Sequence, residues 1–186
     1  MNNPVTIPFP EALQRSSDLL KRLEAHEARE EDKAEISELL STNESTRGFF
    51  ATLLSGPWEF AERPPQWLHE SLRGSSERVG DFLVRNLAMS VASSCRHLDQ
   101  GEVASYNQSV RIADRVKALA INLRLPEVDA RLSDLSAAIA EELSGNATSA
   151  RSAAAEFLTR RAYDHQQLRQ VQKWIGMLQE DLKQPR

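Results

Sequence analysis

Between Val79 and Leu143 the apolar residues recur at three- and four-residue spacing through three successive segments, and no other feature constrains the fold so strongly. Val79, Phe82, Leu83, Leu87, Met89 and Val91 mark the first segment, about 77–98. Val103, Tyr106, Val110, Ala113, Val116 and Ala120 mark the second, about 102–124. The third, which opens at Pro126, carries Val128, Leu132, Leu135, Ile139 and Leu143 and stops at Gly145 and Asn146. That period belongs to helices with one buried face, and proline at the start and glycine at the end punctuate them. Few β-branched runs and abundant Ala, Leu, Glu, Gln and Arg agree by propensity, and nothing reads as a strand. The fold class is all-α: a bundle of six to eight helices in one domain.

The first of the three segments is the most apolar, and its Ala88, Ser90, Ala92, Ser93 and Ser94 are small. Small residues let neighbouring helices approach closely, which places this helix at the centre. Before it, residues 1–9 form an extended arm, and residues 10–43 form two acidic helices or one long bent one. The first opens at Pro10 with Leu13, Leu20 and Leu23. The second covers 33–41 with a capping-box start at Asp32 and Glu35. The core proper is expected over 44–145.

From Thr148 to Leu182 nothing breaks the helical pattern. The segment 146–186 is therefore expected to hold one long C-terminal helix of about 35 residues, roughly 50 Å at 1.5 Å per residue. Phe157, Leu168, Val171, Ile175, Leu178 and Leu182 follow a heptad-like seam, interrupted by Arg161 and Asp164. A helix that outruns its core is a candidate surface for a partner or for self-association.

Charge is distributed unevenly about a net of −4. Glu24, Glu27, Glu30, Glu31, Asp32, Glu35 and Glu38 crowd 24–38, whereas Arg160, Arg161, Arg169 and Lys173 dominate 158–175. The basic group has two meanings. With Tyr163 or Trp174 as a stacking ring it suits nucleic acid; otherwise it contacts an acidic partner, pairs with the acidic N-terminal helices, or is solvated.

The other anomaly is RGFFATLLSGPWEFAERPPQWL, residues 47–68, which gathers five of eleven aromatic residues and three of eight prolines. Either Trp58, Phe60 and Trp67 plug the end of a bundle short of bulk elsewhere, or they stay partly exposed as a partner-binding anchor rimmed by Glu59, Glu62 and Arg63.

Motifs for chemistry are sparse. None of the four histidines follows a glutamate by three residues, as di-metal bundles require, and Cys95 with His97 lies on two different helix faces. There is no Gly-x-Ser-x-Gly elbow, P-loop or Gly-x-Gly-x-x-Gly turn. Asn86, inside the apolar 77–98 helix, needs a hydrogen-bond partner or lines a polar pocket. No cofactor or metal is expected. A single cysteine, no basic leader and no apolar run of membrane length point to a cytoplasmic protein with no membrane partner.

RGFFATLL and DFLVRNLAMSVA, separated by RPPQWLHESL, resemble segments of uncharacterised helical proteins associated with cyanobacteria. The resemblance spans about 44–125 and implies no activity, cofactor or site residue. The functional expectation rests on the residues alone: a non-enzymatic module binding another protein through the aromatic segment or the C-terminal helix. A nucleic-acid-binding subunit is the alternative, and a helical-bundle enzyme with a scattered site comes third.

Overall fold

The computed structural model describes residues 6–145 and 152–184. Nine α-helices and one short 3-10 turn, with no strand, make up these residues. In chain order they are α1 (Phe9–Glu24), α2 (Glu30–Leu39), α3 (Asn43–Ser55), the 3-10 turn Glu59–Ala61, α4 (Gln66–Arg73), α5 (Ser76–Asp99), α6 (Val103–Leu123), α7 (Pro126–Ser144), α8 (Ala153–Arg161) and α9 (His165–Lys183).

Helix α5 is the centre, as its small and apolar residues require. It packs most extensively on α6 and also on α9, α7, α3 and α4. Val79, Leu83, Leu87, Ala88, Val91 and Ala92 are buried in these interfaces. Helix α1 leans on α3, where Gly48 permits the approach: a Cβ there would lie 2.6 Å from that of Ala12. The turn after α5 is polar, and Gly101 takes a φ of 71° that a side chain would resist. His97 and Glu102 brace that turn at 2.7 Å.

The N-terminal helices are two. The chain breaks after Glu24, with His26 in the left-handed region, and restarts where the Asp32 carboxylate accepts the Arg29 amide at 2.8 Å. Asp32 is thus the third residue of α2, and the helix begins earlier than the 33–41 spacing predicts. Of the expected N-terminal arm, residues 1–5 lie outside the described residues, and Ile7 is buried in the core.

The largest departure is at the C-terminus. The last helix is long, 19 residues, but it starts at His165. Helix α8 ends when Ala162 turns left-handed, φ 49° and ψ 48°. Asp164 then caps α9, accepting the Gln167 amide at 2.8 Å while Gln167 Oε1 accepts the Asp164 amide at 3.0 Å. Of the expected 148–182 helix, residues 148–151 lie outside the described residues and the remainder is two helices, which brings the count to nine among the described residues.

A non-glycine residue in the left-handed region carries about 1–2 kcal/mol of strain. Ala162→Gly relieves it, less the extra freedom glycine has when unfolded. A gain of about 0.5–1 kcal/mol in urea denaturation is expected; a loss would contradict the strained cap.

Candidate functional site

Helix α2 places its carboxylates toward α1, because Ile36 and Leu39 must be buried and the acidic residues flank them. Arg15 of α1 donates to Glu35 (3.3 Å) and Glu38 (2.8 Å), and Arg22 donates to Asp32 (2.6 Å) and Glu35 (2.9 Å). Hydrogen bonding to Asp32, fully buried, raises the affinity of the Arg22 guanidinium for its proton. The pairing of the acidic N-terminal helices with the basic C-terminal face, one of the readings the charges left open, does not form among the described residues. The acids of α2 are satisfied within the N-terminal pair, and α9 packs instead on α5, α7 and α6.

The basic residues are left over. Arg160 and Arg161 are exposed at the end of α8; the first donates to the Glu156 carbonyl at 3.3 Å, and the second lies 5.7 Å from the Phe157 ring centroid. Arg169 and Lys173 are exposed on the outward side of α9, one turn apart, opposite the buried Leu168, Val171, Ile175 and Leu178. Met177 continues their stripe and is 42 % exposed. Among the described residues no carboxylate forms an ion pair with any of these four cations.

The rings beside them face inward. Trp174 is half-buried against the core. Tyr163 packs edge-on to Phe157 at 6.2 Å, and its hydroxyl is buried with no hydrogen-bond partner among the described residues. Burial pushes this phenol up to about 12, against the pull of Arg161 and Arg96, so it stays neutral.

The aromatic segment divides. Trp58 is 7 % exposed and donates its indole N–H to the Thr52 carbonyl at 2.9 Å. It is therefore a plug, and as a solvent-facing anchor it is corrected. Phe60 and Trp67 are half-buried against the outside of the core. Phe60 lines a shallow groove of about 390 Å³ with Leu23, Glu24, His26, Glu59, Arg63 and Pro65.

What holds this segment is a residue that the sequence reading did not single out. Arg115 of α6, 2 % exposed, reaches under the loop and donates to the carbonyls of Leu54 (3.1 Å), Gly56 and Trp58 (2.9 Å). Burial lowers its affinity for a proton, nearby Arg111 adds to that, and Glu62 opposes it. A guanidinium remains charged even so. Its signal was available, since Arg115 stands at helical spacing between Ile112 and Leu119 on the apolar stripe of α6.

Asn86 is half-buried and donates to the Phe82 carbonyl at 2.7 Å. Its side chain lines an open groove between α3, α5 and α8, together with Arg47, Arg85 and Arg161. Cys95 is buried, and desolvation raises its thiol, which favours the inert protonated form. Among the described residues no three His, Cys, Asp or Glu side chains are grouped to hold a metal ion, and no helix is long and apolar enough to cross a membrane.

Comparison with known proteins adds a family. Neither the curated proteins nor the solved structures contain a match to this chain. A family model does match, over residues 8–178, so α1, α2 and the first 14 of the 19 residues of α9 belong to the shared unit along with the 44–125 stretch. The chain belongs to the family described as Uncharacterised conserved protein UCP020893.

Proposed function

We propose that this chain is a non-enzymatic helical interaction module, acting in the cytoplasm, that binds an acidic segment of a partner protein along the outward side of α9 and the end of α8. One observation carries the reading: Arg160, Arg161, Arg169 and Lys173 are exposed without carboxylate partners among the described residues, while Asp32, Glu35 and Glu38 of α2 are held by Arg15 and Arg22. Cations left unpaired on a rigid helix attract a complementary acidic surface and guide its approach. Met177 supplies an apolar contact at the end of the same stripe, of the kind that adapts to a partner.

Nucleic acid would engage the same cations, but single-strand binding draws much of its strength from stacking rings. Tyr163 and Trp174 are both committed to the core. The net charge of −4 also opposes the non-specific attraction on which phosphate-backbone binding depends.

The test is affinity purification of the tagged chain and of an Arg169→Glu/Lys173→Glu variant from native cells at low salt, with and without nuclease. A protein that survives nuclease with the parent chain and is lost from the variant is the expected result. Identical proteins on both chains, or loss of all of them with nuclease, would overturn the proposal.

A further inference from the structure

Three guanidinium groups from three helices line one groove: Arg47 of α3, Arg85 of α5 and Arg161 at the end of α8. Its volume of about 500 Å³ is in the range of small-molecule sites. Like charges gathered this way repel unless anions compensate them, and here the compensation is incomplete. Asp81 pairs with Arg85 at 2.9 Å and reaches Arg131 of α7 at 3.9 Å. Glu44, also on the rim, accepts the Phe9 amide at 3.1 Å.

Arg47 and Arg161 have no ion-pair partner among the described residues. Each rests on a ring instead: Arg47 is 4.2 Å from the Phe9 centroid and Arg161 is 5.7 Å from that of Phe157, a ring that Arg85 also shares at 5.6 Å. Three guanidiniums thus face two carboxylates, which leaves the lining one net positive charge, and Arg47 and Arg161 keep donors that no carboxylate engages. A phosphate monoester, with a charge of about −1.5 to −2 at neutral pH and three acceptor oxygens, is attracted to this surplus and offers acceptors to both guanidiniums at once. A monocarboxylate offers two acceptor oxygens where a phosphate offers three.

The rest of the lining selects what the phosphate is attached to. Ala51, Phe82 and Met89 form an apolar wall, and Phe82 is fixed by stacking on Phe50 at 6.0 Å. Arg78 donates to the Asn43 carboxamide oxygen at 3.3 Å, which leaves the Asn43 NH2 free to donate. Asn86 uses its NH2 on the Phe82 carbonyl and keeps its carboxamide oxygen free to accept. A free phosphate would leave the apolar wall wet; a ring with polar edges covers it and meets both amides.

We propose that the groove between α3, α5 and α8 binds a small organic phosphate, with the phosphate held by Arg47 and Arg161 and an aromatic or heteroaromatic body laid on Phe82 and Met89. The site is separate from the α9 surface assigned to a protein partner, and only Arg161 belongs to both.

The full chain is titrated by calorimetry with phenyl phosphate, adenosine monophosphate, benzoate and inorganic phosphate, in parallel with its Arg47→Gln, Arg161→Gln and Arg169→Gln variants. All three side chains are exposed, so the variants keep the fold, which circular dichroism verifies. At least one of the organic phosphates binds below about 1 mM, and benzoate and inorganic phosphate bind about tenfold more weakly or worse. Arg47→Gln and Arg161→Gln each weaken the organic phosphate by about tenfold or more, and Arg169→Gln does not. Failure of both organic phosphates to bind, equal binding by benzoate or inorganic phosphate, or indifference to Arg47 and Arg161 would overturn the proposal. Because Arg169 stands outside the groove, these outcomes are independent of those for the α9 surface.

Discussion

Replacing Arg115 by methionine is expected to lower the stability of the chain by about 3 kcal/mol or more, although no charged partner of close geometry is lost. The guanidinium donates to the carbonyls of Leu54, Gly56 and Trp58, so it finishes the C-terminal end of α3 and pins the loop that follows. Methionine preserves the apolar stem but leaves three backbone acceptors without that donor. Each costs about 1–3 kcal/mol where water cannot replace it. Against a typical total of about 5–15 kcal/mol, this is a large fraction. Arg115→Lys recovers part only, because a single ammonium cannot span three carbonyls as the planar fork does. Urea denaturation at unchanged m value is the measurement, and a loss below about 1 kcal/mol for Arg115→Met would show that the clasp is incidental.

The second large effect is expected at Trp58. Its indole lies over Gly56 so closely that a Cβ on that glycine would be 2.1 Å from the ring nitrogen. Trp58→Ala empties this space and is expected to cost about 3–5 kcal/mol. Trp58→Phe, which keeps most of the bulk and loses the bond to the Thr52 carbonyl, costs about 1 kcal/mol. Since Arg115 donates to the backbone of Trp58 itself, the two losses couple, and the Arg115→Met/Trp58→Ala double variant is destabilised by less than their sum. Were Trp58→Ala to leave stability intact and abolish partner binding, the plug would have to be abandoned for an anchor.

Much of this architecture is legible in the amino-acid order. Helices α5, α6 and α7 follow directly from period and punctuation, and the small residues of α5 locate the centre of the bundle. The break between α8 and α9 is harder. The seam residues continue through it, and Ala162 is an excellent helix former that gives no sign of a stop. The sign lies in Asp164 with Gln167 three residues on, a capping box. Polar residues on an apolar seam mark the end of one helix and the start of the next as readily as a solvated patch. At the N-terminus Asp32 supplies half of such a box, accepting the Arg29 amide one turn before the pair the spacing suggests, and the Arg29 side chain has no acceptor to complete it.

The proposed binding surfaces are less legible, because they depend on which charges find each other across the fold. Clusters of opposite sign at 24–38 and 158–175 suggest a pair, yet Arg15 and Arg22 take Asp32, Glu35 and Glu38 of the first cluster. The arginine groove is assembled from residues 38 and 76 positions apart, Arg47 with Arg85 and Arg85 with Arg161, a juxtaposition that no local spacing encodes. Arg115 belongs to an intermediate class. Its position on an apolar stripe is visible, but its acceptors lie about 57 to 61 residues earlier.

The central claim is that α8 and α9 present cations free for an acidic partner, and fluorescence anisotropy tests it most directly. A labelled glutamate-rich peptide and a labelled single-stranded oligonucleotide are titrated with the chain and with its Arg169→Glu/Lys173→Glu variant at two salt concentrations. The peptide is expected to bind more tightly than the oligonucleotide, to weaken with salt, and to lose about tenfold or more in affinity on charge reversal. An oligonucleotide that binds more tightly than the peptide, or a charge-reversed variant that binds the peptide as well as the parent does, would contradict it.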